Sequence, residues 1–267
     1  HEMTLYCHRV WRIMSNSIRD FSMDWFSLKG KVAIVTGASR NLGLGYALAF
    51  AKAGADLFIP HYSDNTAEVK KLVEAEGSRA EFIKADLSIR EDITKVVEAC
   101  MKAYGRIDIL VNNAAMNYFE DFESFPDEEF SKVIELNMKS VYYLSKEVSK
   151  IMVSQKSGKI INIGSALSYT ADKNCPSYVA AKHGIIGITR TFANELGQHN
   201  IQTNAICPGF FKTDVNLAVS SDPVFYNKIN DRISAGRWGY PVDLMGTAVF
   251  LASRASDYLN GADIKVD

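Results

Sequence analysis

Residues 36–43, Thr-Gly-Ala-Ser-Arg-Asn-Leu-Gly, follow an apolar β-prone run (32–35) and precede an alanine-rich stretch with helical spacing that closes near Gly54. A strand, a tight glycine turn and a helix in immediate succession leave few folds open. Gly37 and Gly43 let the backbone turn sharply and let another molecule approach the main chain. The first turn of the following helix offers unpaired N–H groups and a positive potential, so the segment reads as a phosphate cradle opening a βαβ unit.

The alternation continues along the chain. DLFIPH (56–61), EFIKADL (81–87), IDILVNNAA (107–115), GKIINIGSAL (158–167), IQTNAICPG (201–209) and ADIKVD (262–267) read as strands. Amphipathic helices are expected between them, over 90–104, 127–155, 177–198 and 243–252. Residues 211–240 keep no clean period, so short helices and a substrate lid are expected there. Several strands are apolar at successive positions, as two-sided burial in a parallel sheet requires. The expected fold is α/β: one doubly wound, Rossmann-type domain over 26–267, with a mainly parallel seven-stranded sheet and helices on both faces. Residues 1–25 are mixed in composition, with no apolar core or small-residue cleavage site, and read as an N-terminal extension: a cloning remnant or an upstream start.

The 267 residues, 47% of them hydrophobic, suffice for one large domain with a covered core. Lys+Arg number 30 and Asp+Glu 31, which gives no basic excess for nucleic acid or an anionic membrane. No apolar run approaches the ~18 residues that span a bilayer. The 4 cysteines form no C-x-x-C pair, and the 5 histidines show no metal spacing. Reduced thiols, a cytoplasmic protein and no metal are expected.

The chemistry centres on Ser177-Tyr178-Val179-Ala180-Ala181-Lys182, with Ser165 upstream. Tyr178 and Lys182 stand at i and i+4, on one face of a helix. A free phenol ionises near pH ~10, and an adjacent ammonium is expected to bring it into the range of general acid–base work. A Ser-His-Asp hydrolase fits poorly, because Ser165 lacks the G-x-S-x-G elbow and His183 points about 100° around the helix from Lys182.

The glycine turn, the Asn112-Asn113-Ala114-Ala115 segment, Ser165 and the Tyr178/Lys182 pair together resemble the short-chain dehydrogenase/reductase family, from about residue 26 onward. Its turn pattern is T-G-x-x-x-G-x-G. Here Asn41 replaces the middle glycine, and asparagine tolerates left-handed backbone better than most residues. The resemblance implies that Gly37, Ser39, Arg40, Asn41, Leu42 and Gly43 hold the phosphates of a nicotinamide dinucleotide. It implies that Asp86 and Leu87 meet the adenine, and that Asn113, Ala114 and Ala115 border its ribose. Pro208, Gly209 and Thr213 match P-G-x-x-x-T, whose threonine meets the nicotinamide carboxamide. Tyr178 would be the acid in reduction and the base in oxidation. Lys182 would lower the phenol's pKa and bond the nicotinamide ribose, Ser165 would bond the substrate carbonyl, and Asn137 would hold a relay water.

Cofactor selectivity turns on the end of the second strand, where His61 stands and Asp64 follows late. No carboxylate directly closes that strand, and Arg40 could meet a 2′-phosphate. NAD(H) is expected, with NADP(H) left open.

The stretch Ala235 to Leu244, AGRWGYPVDL, is similar to one branch of that family, which acts at carbon 5 of 2-dehydro-3-deoxy-D-gluconate or gluconate. The resemblance implies a six-carbon sugar-acid substrate, with the cellular reaction running as reduction of a diketo-deoxy acid from uronate breakdown. Asn117, Tyr169, Lys173, Lys212 and Arg237 join Ser165 as candidate substrate contacts, since a polyol carboxylate needs a cation and several polar groups. A 3-oxoacyl thioester reductase and a catalytically silent dinucleotide-binding scaffold are the rival readings. A homotetramer is implied by the resemblance.

Overall fold

The computed structural model describes residue 18 and residues 20–62, 66–214 and 223–267. Most of the N-terminal extension, Asp64 and the centre of the expected lid (215–222) lie outside the described residues. Seven strands form one sheet in the order β3-β2-β1-β4-β5-β6-β7. They are β1 (Val32–Val35), β2 (Asp56–His61), β3 (Ala80–Lys84), β4 (Ile109–Asn112), β5 (Gly158–Ile163), β6 (Ile201–Pro208) and β7 (Asp263–Val266). Every neighbouring pair is parallel. Between them run α1 (Asn41–Lys52), α2 (Thr66–Ala75), α3 (Arg90–Tyr104), α4 (Asp127–Ile134), α5 (Ser140–Gln155), α6 (Pro176–Leu196), α7 (Pro223–Asn230) and α8 (Pro241–Ala252).

The burial pattern gives the reason. Strand residues alternate between two helical layers: Ala33 and Val35 pack with α1 and α8, while Val32 and Ile34 pack with α3 and α5. Both faces of β1 are therefore dry, so its run of apolar residues needs no polar partner except backbone. The strand order reverses beside β1, between β2 and β4, and a crevice opens there at the carboxyl ends of the strands.

Two boundaries differ from the sequence reading. The expected helix over 127–155 is broken by a π-helical turn, Glu135–Lys139, with Asn137 at its centre. Such turns carry one extra residue and re-aim the side chains around them, which periodicity cannot show. The Met23–Phe26 turn also belongs with the folded body: Arg254 lies 4.3 Å over the Trp25 ring, and Phe26 approaches Phe250.

Candidate active site

The phosphate turn is fastened to β4 from below. The buried Thr36 hydroxyl accepts the N–H groups of Asn113 and Ala114, both at 2.9 Å, and donates to Val111 O. Asn113 Nδ2 returns bonds to Thr36 O and Gly37 O at 3.0 and 3.2 Å. Gly37 has φ 65, and a Cβ there would lie 2.9 Å from Asn113 Nδ2. A Cβ on Gly43 would lie 2.1 Å from Gly37 O. No side chain fits at either place. Asn41 adopts φ 50, the left-handed backbone a glycine would take. Its amide also bridges the site's far wall, donating to Asp214 Oδ2 at 3.1 Å and accepting from Asp214 N at 3.3 Å.

A cavity of about 1050 Å³ lies above this turn. Gly37, Ser39, Arg40, Asn41, Leu42 and Gly43 form one wall. His61 closes β2 at another, beside Pro60 and Tyr62, and Asp86 and Leu87 follow β3 with Ser88. Asn113, Ala114, Ala115 and Met116 come from the loop after β4, and Thr213 from the segment after β6. Asp86 is held in place because its Oδ1 accepts from both Ser88 N and Ser88 Oγ, at 2.9 and 2.6 Å. Pro208 and Gly209 do not line this cavity: they end β6, where a Cβ on Gly209 would run into Asp267, and they carry Thr213 forward to the wall. A bare-backbone cradle at a helix start under a long, partly apolar cleft fits a dinucleotide.

Several lining residues escape a sequence reading. Lys132, Ser131, Glu135 and Leu136 reach the cavity from α4 and the π turn, far along the chain from the glycine motif. Thr36 was within reach of that reading, as a hydroxyl between a buried strand and a glycine turn.

The candidate reacting side chains stand just past β5 and on α6. Pro176 opens α6 at its first position, where a missing N–H costs nothing. One turn later Tyr178 and Lys182 share a face, with Lys182 Nζ 5.5 Å from the Tyr178 ring centroid. Lys182 is only 3% exposed, and its ammonium donates to Ile163 O at 2.7 Å, at the end of β5. Ser165 follows two residues later, its Oγ accepting from Leu167 N at 3.1 Å.

The electrostatics differ from the sequence expectation. Burial pushes the Tyr178 phenol above its ordinary value, with a Ser165 hydrogen bond pulling the other way. Burial also holds the Lys182 ammonium down, to about 8. The lysine does not bring the phenol down here, because its charge is turned to a carbonyl and both groups have left water. Tyr178 is accordingly a neutral acid at neutral pH.

Asn137 is 1% exposed, and both ends of its amide bond the main chain of Met116, at 2.9 and 2.8 Å. It thus pins the loop after β4. Of the candidate substrate contacts, Arg237 is taken by Asp243 in a two-pronged ion pair, at 2.8 and 2.8 Å, which caps α8. The Tyr169 hydroxyl donates to Asp263, under Lys265 at 4.2 Å from its ring. Lys212 donates to Tyr240 Oη at 3.0 Å. Asn117 stays in the loop after β4, accepting from Tyr118 N, and Lys173 is exposed in the loop before α6. His183 is exposed and leans on Val179 O.

A parallel seven-stranded sheet, a phosphate cradle at its switch point and a Tyr–Lys pair beside a serine define an oxidoreductase that works on CH–OH groups with a nicotinamide cofactor. Residues 31–223 match the family described as short chain dehydrogenase, and the chain belongs to that family. It is 45% identical over 251 residues to the uncharacterized oxidoreductase YgcW of Escherichia coli (strain K12), covering 94% of this chain and 96% of that one. It is 44% identical over 243 residues to the 2-dehydro-3-deoxy-D-gluconate 5-dehydrogenase of the same strain, covering 91% and 96%. Among solved structures, a gluconate 5-dehydrogenase from Burkholderia cenocepacia J2315 in complex with NADP and tartrate matches with a TM-score of 0.87 at 32% identity, over 91% of this chain and 96% of that one. No helix among the described residues is long and apolar enough to cross a membrane.

Proposed function

We propose that the protein interconverts a secondary alcohol and a ketone on a six-carbon sugar acid, and that it works in the cell as the reductase of a diketo-deoxy sugar acid. The observation that carries this reading is the placement of Tyr178 and Lys182 one turn apart on α6, with Lys182 Nζ 5.5 Å from the phenol ring, and of Ser165 just past the end of β5. The bound nicotinamide would supply or accept hydride. Everything else falls to this chain's residues. Ser165 steadies the carbonyl oxygen as negative charge grows on it. Tyr178 gives that oxygen its proton in reduction and removes it in oxidation. Lys182 keeps a positive charge near the phenolate that remains. Asn137 fixes Met116, and with it the loop from Asn113 onward that walls the cavity.

The substrate class rests on relatives: one is a 2-dehydro-3-deoxy-D-gluconate 5-dehydrogenase, and another, a gluconate 5-dehydrogenase, was solved with tartrate, itself a small hydroxy acid. For the cofactor, Arg40 stands exposed on the cavity rim, and the described end of β2 presents His61 and Tyr62 with no carboxylate. That arrangement supports use of NADP(H) as well as NAD(H).

The test is a kinetic comparison of 2-dehydro-3-deoxygluconate, gluconate and an acetoacetyl thioester with either cofactor, beside Tyr178→Phe. The sugar acids should give the highest kcat/KM, and Tyr178→Phe should lose at least ~1000-fold in rate while still binding cofactor. A thioester preference would overturn the substrate, and a Tyr178→Phe variant near the parent rate would overturn the acid.

A further inference from the structure

Beneath the reacting groups lies a buried hydroxyl with no place in the scheme above. Ser168 is 4% exposed and ends the short helical turn Ala166–Ser168 that follows Ser165. Its Oγ accepts the backbone N–H of Ser165 at 3.1 Å and donates to the backbone carbonyl of Lys182 at 2.8 Å. One oxygen therefore joins the main chain of the serine to the main chain of the lysine, and so to the helix that carries Tyr178. The Lys182 carbonyl sits inside α6, so this bond is additional to the helix's own ladder.

The surroundings leave the bridge little play. A Cβ on Gly164 would lie 3.0 Å from Ser168 Oγ and 2.6 Å from Cys207 Sγ. A second tie runs alongside, from Lys182 Nζ to Ile163 O. The two ties have different consequences. The lysine tie fixes α6 to the end of β5. The Ser168 tie fixes the segment that presents Ser165, which is otherwise a loop.

We infer that Ser168 is a positioning residue for the reaction, setting the reach from the Ser165 hydroxyl to the Tyr178 phenol by clamping the Ser165 backbone to α6. The inference rests on the proposed roles of Ser165 and Tyr178. Without the Ser168 hydroxyl, the part-buried Ser165 N–H loses that bond and is left with Cys207 alone, and the loop is no longer tied to α6 at this point. A shift of about 1 Å in a reacting group can cost on the order of 100-fold in rate.

The experiment compares Ser168→Ala, Ser168→Thr and Tyr178→Phe with the parent chain. Cofactor-binding sites are counted by fluorescence titration, and kcat is expressed per site over a range of pH. Ser168→Ala is expected to bind cofactor at full stoichiometry with a dissociation constant within about twofold, while kcat per site falls about 10- to 100-fold. The alkaline limb of kcat in the reductive direction should move to higher pH, because a displaced Ser165 pulls less on the phenol. Ser168→Thr, which keeps the hydroxyl, should restore most of the rate. The inference falls if kcat per site stays within about threefold, if it drops with the limb unmoved, or if Ser168→Ala loses its cofactor sites, which would make the residue merely structural. If Tyr178→Phe is dead while Ser168→Ala runs at full rate, this inference alone fails. If Tyr178→Phe keeps its rate, the functional reading fails with it.

Discussion

Replacing Lys182 with methionine should abolish turnover and at the same time make the folded protein more stable at neutral pH. Burial lowers the ammonium from 10.5 to about 8, which at ~1.4 kcal/mol per tenfold means that holding the charge in the folded state costs about 3 kcal/mol. The bond it donates to Ile163 O offsets about 1.5 kcal/mol of that. Methionine has a similar length, carries no charge and tolerates an irregular apolar gap. A net gain of about 1–2 kcal/mol follows. The sign can be checked against pH. The unfolded lysine takes up its proton below 10.5 and the folded one only below about 8. Between those values the unfolded chain binds more protons, so the parent's stability rises with pH. The advantage of Lys182→Met is therefore full below about 8 and disappears towards 10.5. Urea unfolding of both proteins at neutral pH and at steps up to the alkaline end measures it. A variant no more stable than the parent at neutral pH, or a gap that fails to narrow as pH rises, would refute the burial argument.

Two further outcomes follow from the geometry. Gly43→Ala places a methyl group 2.1 Å from Gly37 O, so cofactor affinity should drop by at least ~100-fold in a fluorescence titration while circular dichroism shows the sheet and helices retained. Asp243→Asn weakens the Arg237 clamp and the cap of α8; thermal unfolding should show a lower midpoint, with kcat per folded molecule unchanged. The Asp243 carboxyl is held down to about 2 by Arg237, so that contribution is complete above 3.8 and vanishes as pH falls through about 2.

What could be read in advance follows from what is local. The strands were visible because two-sided burial writes itself as unbroken apolar runs, as in Val32 to Val35, and the phosphate turn because only glycine fits a backbone that passes 2.1 Å from where a Cβ would stand. Tyr178 and Lys182 could be paired because four residues is one helical turn. The partners of Arg237 and Tyr169 could not. A cation six residues before a carboxylate, across a Trp-Gly-Tyr-Pro corner, looks as open to a substrate as to Asp243 until the corner is seen to bring them to 2.8 Å. The Tyr169 partner, Asp263, lies on β7, far along the chain. The π turn at Asn137 was hidden for the opposite reason: one extra residue in a helix barely disturbs its apolar spacing, yet it turns the asparagine amide onto Met116. The phenol's direction was misjudged because charge proximity is legible in a sequence and desolvation is not.

That misjudgement bears on the direction of the reaction. Burial acts on the two members of the pair in opposite senses, raising the proton affinity of Tyr178 and lowering that of Lys182. At neutral pH the phenol keeps its proton and the lysine, at about 8, still holds most of its charge. This is the proton inventory that reduction of a ketone needs at its start: an acid in place, a hydroxyl at Ser165 to receive the carbonyl, and a cation already desolvated behind the phenolate that will form. Oxidation would have to begin from a phenolate in a site that disfavours it, and would gain only as pH rises. The dryness that makes the sheet's upper edge a good place to exclude water is thus the same property that biases the pair towards giving a proton away.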